Sequence, residues 1–428
     1  MKKLFCFLLS FSAFTGFGQT LSNAEKALIL GRFQTEVKYN YAQFSSLPFD
    51  WDSLCQASFP ALIETASDDE FVDALQRLCM QLKDGHTKIF RGNTGDSRDW
   101  IKPFPMVTER IGDRVFVTEV RSSVLAEKGV EKGCEILEID GEGVLEYGQR
   151  HVASLLSSST PQWTETAPYF GFELTKAKGT KVSRITFRGR DGKRFSIESD
   201  RNMPWDIEPA SNSVISFELL KDNVGYLAIK SFSGANYYQI FDDLYPKILE
   251  TDALIIDVRN NSGGNSGYAD YIISHFSDKP IRLGAWCSPM YIAAHASWFY
   301  NPAFYRSTPL PIQPVQDKPI YKKPVVLLVN GGTFSSAENF CVTFRSSGRG
   351  PIIGTPTGGS TGNPIGIDLG YGIYASICTK YEWDADGNVF IGKGIIPDIE
   401  IEQRAKQDAM QKDIFIERAL LELKRSRR

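Results

Sequence analysis

Three near-continuous apolar strands, each running straight into a glycine-rich loop, constrain this chain more than any other feature. They are ALIIDVR at 253–259, PVVLLVN at 324–330 and PIIG at 351–354, followed by NNSGG, GGTFSS and GTPTGGSTGNP. Strands apolar on both faces need cover on both faces, which is the condition of a parallel sheet flanked by helices. Helical patterns lie between them, in NYYQIFDDLYPKILE at 236–250, GYADYIISHF at 267–276 and from about Ser335. From about residue 206 to 428 the sequence therefore predicts an α/β domain whose loops gather at the strand ends, where such sheets bind ligands. Residues 301–324 carry six prolines (Pro302, Pro309, Pro311, Pro314, Pro319, Pro324) and read as an irregular loop able to overhang that crevice. The final DIFIERALLELKRSRR reads as a helix with a basic end suited to its negative pole.

Two other textures precede this domain. Between about residues 19 and 100 the apolar spacing is helical, with Phe71, Ala74, Leu75, Leu78 and Leu82 on one face and Asp68 and Asp69 at the positive end. This helical cap stops at Asp84-Gly85, and His86 opens a predicted strand, HTKIF. Between about 101 and 205 short alternating strands are separated by glycine turns, as in RVFVTEV, CEILEIDG and VSRITFRGRDGKRFSIES. The expected architecture is multi-domain α+β, and no internal repeat is present.

At the amino terminus, Lys2 and Lys3 precede an apolar run from Leu4 to Phe17, too short to span a bilayer. This reads as a secretory signal over 1–18, with Gly16 and Gly18 supplying the small-x-small cleavage pattern, so the mature chain is expected in the periplasm or secreted. Cys6 lies within the apolar run and not after small residues at its end, which argues against a lipid anchor. Formal charge is 48 minus 51, or −3, and loss of Lys2 and Lys3 makes it −5. The basic residues are scattered, which excludes a nucleic-acid footprint. No later apolar stretch is long enough for a membrane span. Six cysteines follow the leader: Cys55, Cys79, Cys134, Cys287, Cys341 and Cys378. None forms a CxxC pair, so metal-site spacing is absent, and their pairing is left open.

Chemistry concentrates where PVVLLVNGG turns into a helix bearing Ser335 and Ser336 in its first turn. Unpaired N–H groups at a helix start favour the oxyanion formed when a serine attacks a carbonyl. Ser335-Ser336-Ala337-Glu338 is equally a capping box, in which Ser335 caps the helix and Glu338 reaches back. The glycines of NNSGG allow backbone amides to approach a ligand, or make ordinary tight turns. Neither loop has the lysine of a P-loop or the spacing of a dinucleotide fingerprint.

In order and spacing, LKDGHTKIF, IIDVRNNSGG, VNGGTFSSAE, IIGTPTGGSTG and GIIPDIEI resemble the carboxyl-terminal-processing, tail-specific and tricorn-type serine peptidases over nearly the whole mature chain. The segment VFVTEVRSSVLAEKGVEKGCEILEIDGEGV resembles a PDZ module, through Gly133, Ile136, Ile139, Asp140 and Gly141, with Cys134 where an aspartate is usual. The resemblance implies a crotonase-like α/β catalytic domain with Ser335 as nucleophile, standing three residues before Glu338. The processing branch places a base lysine 25 residues after the nucleophile. Here that position is Ser360, and the loop 354–364 contains no lysine. The tricorn-like branch uses a cap histidine, which Leu82, Asp84, His86 and Thr87 match, so His86 is the implied base. A neutral imidazole suits that work near neutral pH. Of the other histidines, His151 falls in a predicted helix, and His275 and His295 read as structural.

The resemblance further implies an oxyanion hole from the amides of Ser336 and of Gly263 or Gly264, and no metal or organic cofactor. The orienting acid of tricorn-like relatives falls here on Ile391, which cannot orient a histidine. Glu382, Asp384, Asp386 and Asp84 are the candidate substitutes. Extended or unfolded polypeptides and their C-terminal ends are the implied partners, with strand addition to the PDZ-like module. The alternative is a weakly active or inert peptide-binding protein that keeps the fold.

Overall fold

The computed structural model describes residues 20–92, 103–176, 182–200, 203–209, 213–402 and 413–426. The expected leader and its cleavage site lie outside the described residues.

A six-stranded sheet forms the centre, in the order Ile399–Glu400, Ile352–Gly354, Val325–Val329, Ala253–Asp257, Val224–Ile229, Ile215–Leu220. The first five strands are mutually parallel and the last is antiparallel. All five residues of Ala253–Asp257 and of Val325–Val329 are buried. The side-chain period of two explains this: Leu254, Ile256, Val325, Leu327 and Val329 enter one core and Ala253, Ile255, Val326 and Leu328 another. Helices Tyr237–Glu250, Ser266–Ile273 and Ser336–Ser347 contribute to the first core, and Ile414–Ser426 covers the other face through Phe415, Ala419 and Leu423.

The helical unit comprises Asn23–Asn40, Trp51–Ile63 and Asp68–Cys79. Ser22 and Glu25 form a reciprocal capping box at its first helix, and Ser67 caps the third. Its sheet is completed from far along the chain: Lys88–Arg91 pairs antiparallel with Ile373–Ile377, which pairs with Ile365–Gly370. Ile373, Ala375 and Ile377 share one core with Phe33, Phe71 and Leu75. This pairing ties the His86 segment to the half of the chain that builds the central sheet.

The middle unit is a six-stranded antiparallel sheet, with five strands in the order Met106–Ile111, Arg114–Val120, Glu135–Ile139, Val182–Arg188, Arg194–Asp200 and the short Glu142–Gly143 paired with Glu135–Ile139. Its short helix Pro161–Thr166, capped by Thr160, reaches the central domain. The proline-rich segment 301–324 is irregular apart from one short strand and an isolated bridge at Ile312. Ala303–Arg306 forms a strand on Trp286–Met290, which pairs in turn with Tyr381–Glu382. Aromatic Phe304 and Tyr305 favour that state despite the flanking prolines. Residues 289–304 pack on the helical unit, with Tyr291 against Tyr39 at 4.9 Å, and the two line a cleft of about 450 Å³.

The six cysteines of the described residues are all free and buried, as small apolar side chains. Among the described residues no helix is long and apolar enough to cross a membrane.

Candidate active site

Loops 258–264, 330–335 and 355–363 follow three parallel strands and meet at their carboxyl ends. Asn330 pins the second to the first. Its Oδ1 accepts from the amides of Asn260 (2.9 Å) and Gly332 (3.0 Å), and its Nδ2 donates to Asn260 Oδ1 at 2.8 Å. The Phe334 amide donates to the Asn261 carbonyl at 2.9 Å. Held in this way, Ser335 adopts φ 56, ψ −127, a conformation that costs a residue with a side chain about 1–3 kcal/mol. The turn projects the hydroxyl ahead of helix Ser336–Ser347.

The capping box is not formed: the Ser335 side chain makes no cap bond, and its N–H donates to the Ser360 carbonyl at 3.0 Å. Glu338 points elsewhere. Fully buried, it accepts from Thr357 Oγ1 (2.5 Å) and from the amides of Gly359 and Ser360 (both 2.8 Å), and so fixes the third loop. Burial pushes its carboxyl up to about 7, against the pull of these donors.

His86 arrives from the other side. Asp84 Oδ1 accepts from the His86 and Thr87 amides at 2.8 and 2.9 Å, which shapes the turn. A Cβ on Gly85 would stand 2.8 Å from Phe334 Cζ, so glycine is needed where the turn meets the Ser335 loop. The imidazole stacks on Phe334 (centroids 4.7 Å apart), whose other neighbour is Trp163 at 4.2 Å. Its Nε2 lies 3.0 Å from Ser335 Oγ, and its Nδ1 lies 2.7 Å from Ser360 Oγ. Burial, then the positive charges of Lys88 and Lys380, pushes the His86 imidazolium down to about 3. The ring keeps partial solvent access, and both effects favour a neutral imidazole able to accept a proton at neutral pH.

The Gly263 amide is already engaged, donating to Asn261 Oδ1 at 2.8 Å. Among the described residues the amides of Gly264 and Ser336 have no such acceptor, and Ser336 opens its helix. Gly263 matters through its missing side chain: a Cβ there would stand 2.7 Å from Ser335 Cβ and 2.8 Å from the Ser336 amide nitrogen. The Ser336 hydroxyl donates to the Gly264 carbonyl at 2.7 Å, holding the two loops together.

None of the candidate acids bonds to the His86 ring. Glu382 binds Lys380 Nζ at 2.6 Å and accepts from Asn339 Nδ2 at 3.0 Å. Asp384 closes its own turn on the Asp386 and Asn388 amides, and Asp386 pairs with Arg282. Asp84 spends one oxygen on backbone amides, while the other is buried without a hydrogen-bond partner. Burial raises its carboxyl pKa. Ile391 belongs to the central core. Of the other histidines, His151 bonds Glu142 at 3.1 Å, His275 is enclosed by Phe241, Tyr245 and Tyr271, and His295 lies on the wall of the 450 Å³ cleft. No group of three or more metal-ligating side chains is assembled among the described residues.

The sequence reading missed the parts that hold the site. Thr160 Oγ1 donates to the Gly358 carbonyl (2.7 Å), and Gln162 Nε2 donates to the carbonyls of Thr357 and Lys393 (2.8 and 2.7 Å). Ser159 Oγ accepts from the Gly85 amide at 2.9 Å. A short helix of the middle unit thus braces both the histidine turn and the Ser360 loop. Nothing in its composition marks it, because its partners are backbone atoms.

Residues 223–401 match the model of peptidase family S41. Tricorn protease homolog 1 of Streptomyces coelicolor is 23% identical over 393 residues, covering 87% of this chain and 32% of that protein. Carboxy-terminal processing protease CtpB of Bacillus subtilis is 23% identical over 359 residues, covering 83% of this chain and 64% of that protein. The chain thus spans about a third of the first and under two thirds of the second. In fold, the structure of mature CPAF complexed with lactacystin superposes with a TM-score of 0.68 at 16% identity, covering 94% of this chain and 98% of that one. The strand-end loops described above fall within residues 223–401, the stretch that is similar to peptidase family S41.

Proposed function

We propose that the protein hydrolyses peptide bonds of extended or unfolded polypeptides through an acyl-enzyme on Ser335. The observation that carries this reading is the 3.0 Å contact between Ser335 Oγ and His86 Nε2 at the head of a helix. Ser335 Oγ attacks the scissile carbonyl as its proton passes to Nε2. The amides of Ser336 and Gly264 receive the oxyanion. His86 then protonates the leaving amine, and water, activated by the same nitrogen, releases the acyl group.

The finer assignments belong to the same proposal. They are export through the leader 1–18 to the periplasm or beyond, and a division into cap (19–100), PDZ-like module (101–205) and catalytic domain (206–428). In the PDZ-like module Asp140 (φ 53) and Gly141 form the turn after strand Glu135–Ile139. Met106–Ile111 ends its sheet with Thr108 paired to Gly171, so a strand added there would displace that pairing. The curated relatives named for carboxy-terminal processing support C-terminal ends as substrates.

Wild type is expected to cut an unstructured protein, while Ser335→Ala and His86→Ala each lose about 10³-fold or more in kcat with unchanged unfolding temperatures. Product ends read by mass spectrometry check this. Full activity in Ser335→Ala sinks the proposal, and peptide binding without cleavage by wild type favours an inert binding protein. Because burial, Lys88 and Lys380 disfavour the imidazolium, the acidic limb of kcat/KM is expected below pH 5. An acidic limb at or above the ordinary histidine value of 6.5 contradicts that assignment.

A further inference from the structure

We infer that Ser360 is the positioning residue for His86, a neutral hydroxyl standing where a histidine-dependent hydrolase ordinarily has an orienting carboxylate. This rests on the peptidase reading above. The geometry is specific: Ser360 is fully buried, its Oγ lies 2.7 Å from His86 Nδ1, and none of Glu382, Asp384, Asp386 or Asp84 bonds to the ring.

Its backbone is fixed at both ends of the residue. The Ser360 amide donates to Glu338 Oε2 at 2.8 Å, and its carbonyl accepts from the Ser335 amide at 3.0 Å. One residue therefore sets the backbone of the nucleophile and the ring of the base together. Next to it, Phe334 stacks on the imidazole and limits its tilt.

The chemistry differs from that of an acid. For Nε2 to accept the Ser335 proton, Nδ1 must carry hydrogen and donate it, so Ser360 Oγ acts as acceptor. A carboxylate can only accept, which enforces this tautomer and stabilises the imidazolium that forms. A hydroxyl can also donate to Nδ1, leaving hydrogen on Nε2 and the base blocked. Ser360 thus orients the ring, favours hydrogen on Nδ1 without enforcing it as a carboxylate would, and adds no negative charge to it. The charged and titratable groups around the ring are Lys88 at the start of the strand that follows it, Lys380 from the neighbouring segment, Asp84 behind its amide and Glu338 beyond the Ser360 amide.

The test compares the wild-type chain with Ser360→Ala and Ser360→Thr, by steady-state cleavage and by nitrogen-15 histidine NMR, with the His86 signals assigned from His86→Gln. Loss of one hydrogen bond to the ring predicts about a tenfold lower kcat in Ser360→Ala, with KM within twofold. The hydrogen-bearing population at His86 Nδ1 should fall in the same variant. Ser360→Thr, which keeps the hydroxyl, should restore both. Unchanged kcat and unchanged His86 tautomer in Ser360→Ala overturn the inference, as does a uniform loss not rescued by threonine at equal unfolding temperature. If Ser360→Ala unfolds early, Ser360→Gly tests the same hydroxyl. Should no form cleave while the tautomer still follows residue 360, the peptidase reading fails and the positioning role stands.

Discussion

Gly263→Ala is expected to lower kcat by about 10²–10³-fold, the usual cost of losing an oxyanion donor. The added Cβ would sit 2.8 Å from the Ser336 amide nitrogen and 2.7 Å from Ser335 Cβ, filling the space proposed for the developing oxyanion. KM should change far less, because a ground-state carbonyl relies less on that space. Backbone strain contributes separately, since Gly263 has φ 98. Gly129→Ala is the control: its φ is 87 and no atom lies within 4 Å of the new Cβ, so it reports strain alone. Steady-state cleavage with unfolding midpoints for both variants separates the effects, and equal kcat in Gly263→Ala and wild type contradicts the assigned oxyanion position.

Glu338→Ala should lose about 2–5 kcal/mol of stability, because the buried amides of Gly359 and Ser360 are left without an acceptor. Urea unfolding with an unchanged slope measures it. The loss should depend on pH in a definite direction. The folded pKa, about 7, lies above the ordinary 4.5, so the carboxyl's contribution is fully present below 4.5 and is lost as pH rises through 7. Wild type and variant should therefore differ more at pH 5 than at pH 8. Activity should fall too, since the same carboxyl holds the loop that carries Ser360 and receives the Ser335 amide.

How much of this was legible in the sequence follows from the range of the interactions. The buried strands were readable because residues apolar on both faces admit few other states, and Val325–Val329 and Ala253–Asp257 lie where the pattern put them. The glycine loops were readable as a crevice because turns at strand ends are local features. Ser335 and His86 were singled out by motif, and the structure brings them together although 249 positions separate them.

What escaped is non-local or works through the backbone. Ser360 stood out only as a missing lysine, for a serine in a glycine-rich loop looks like turn chemistry until a ring nitrogen lies beside it. Glu338 resembled a capping residue, and only the fold of the 357–360 loop shows what it holds. Asp84 sits two residues from His86 yet serves the amide and not the ring. Strand Ala303–Arg306 was hidden by its prolines, since pairing with Trp286–Met290 is a property of both segments.

The most direct test of the central claim is to treat the purified protein with a fluorophosphonate, which phosphonylates an activated serine, and to locate the adduct by peptide mass spectrometry. The account predicts one adduct, on Ser335, absent in Ser335→Ala and formed far more slowly in His86→Ala. Labelling at another serine, or a rate on Ser335 that does not depend on His86, would contradict it.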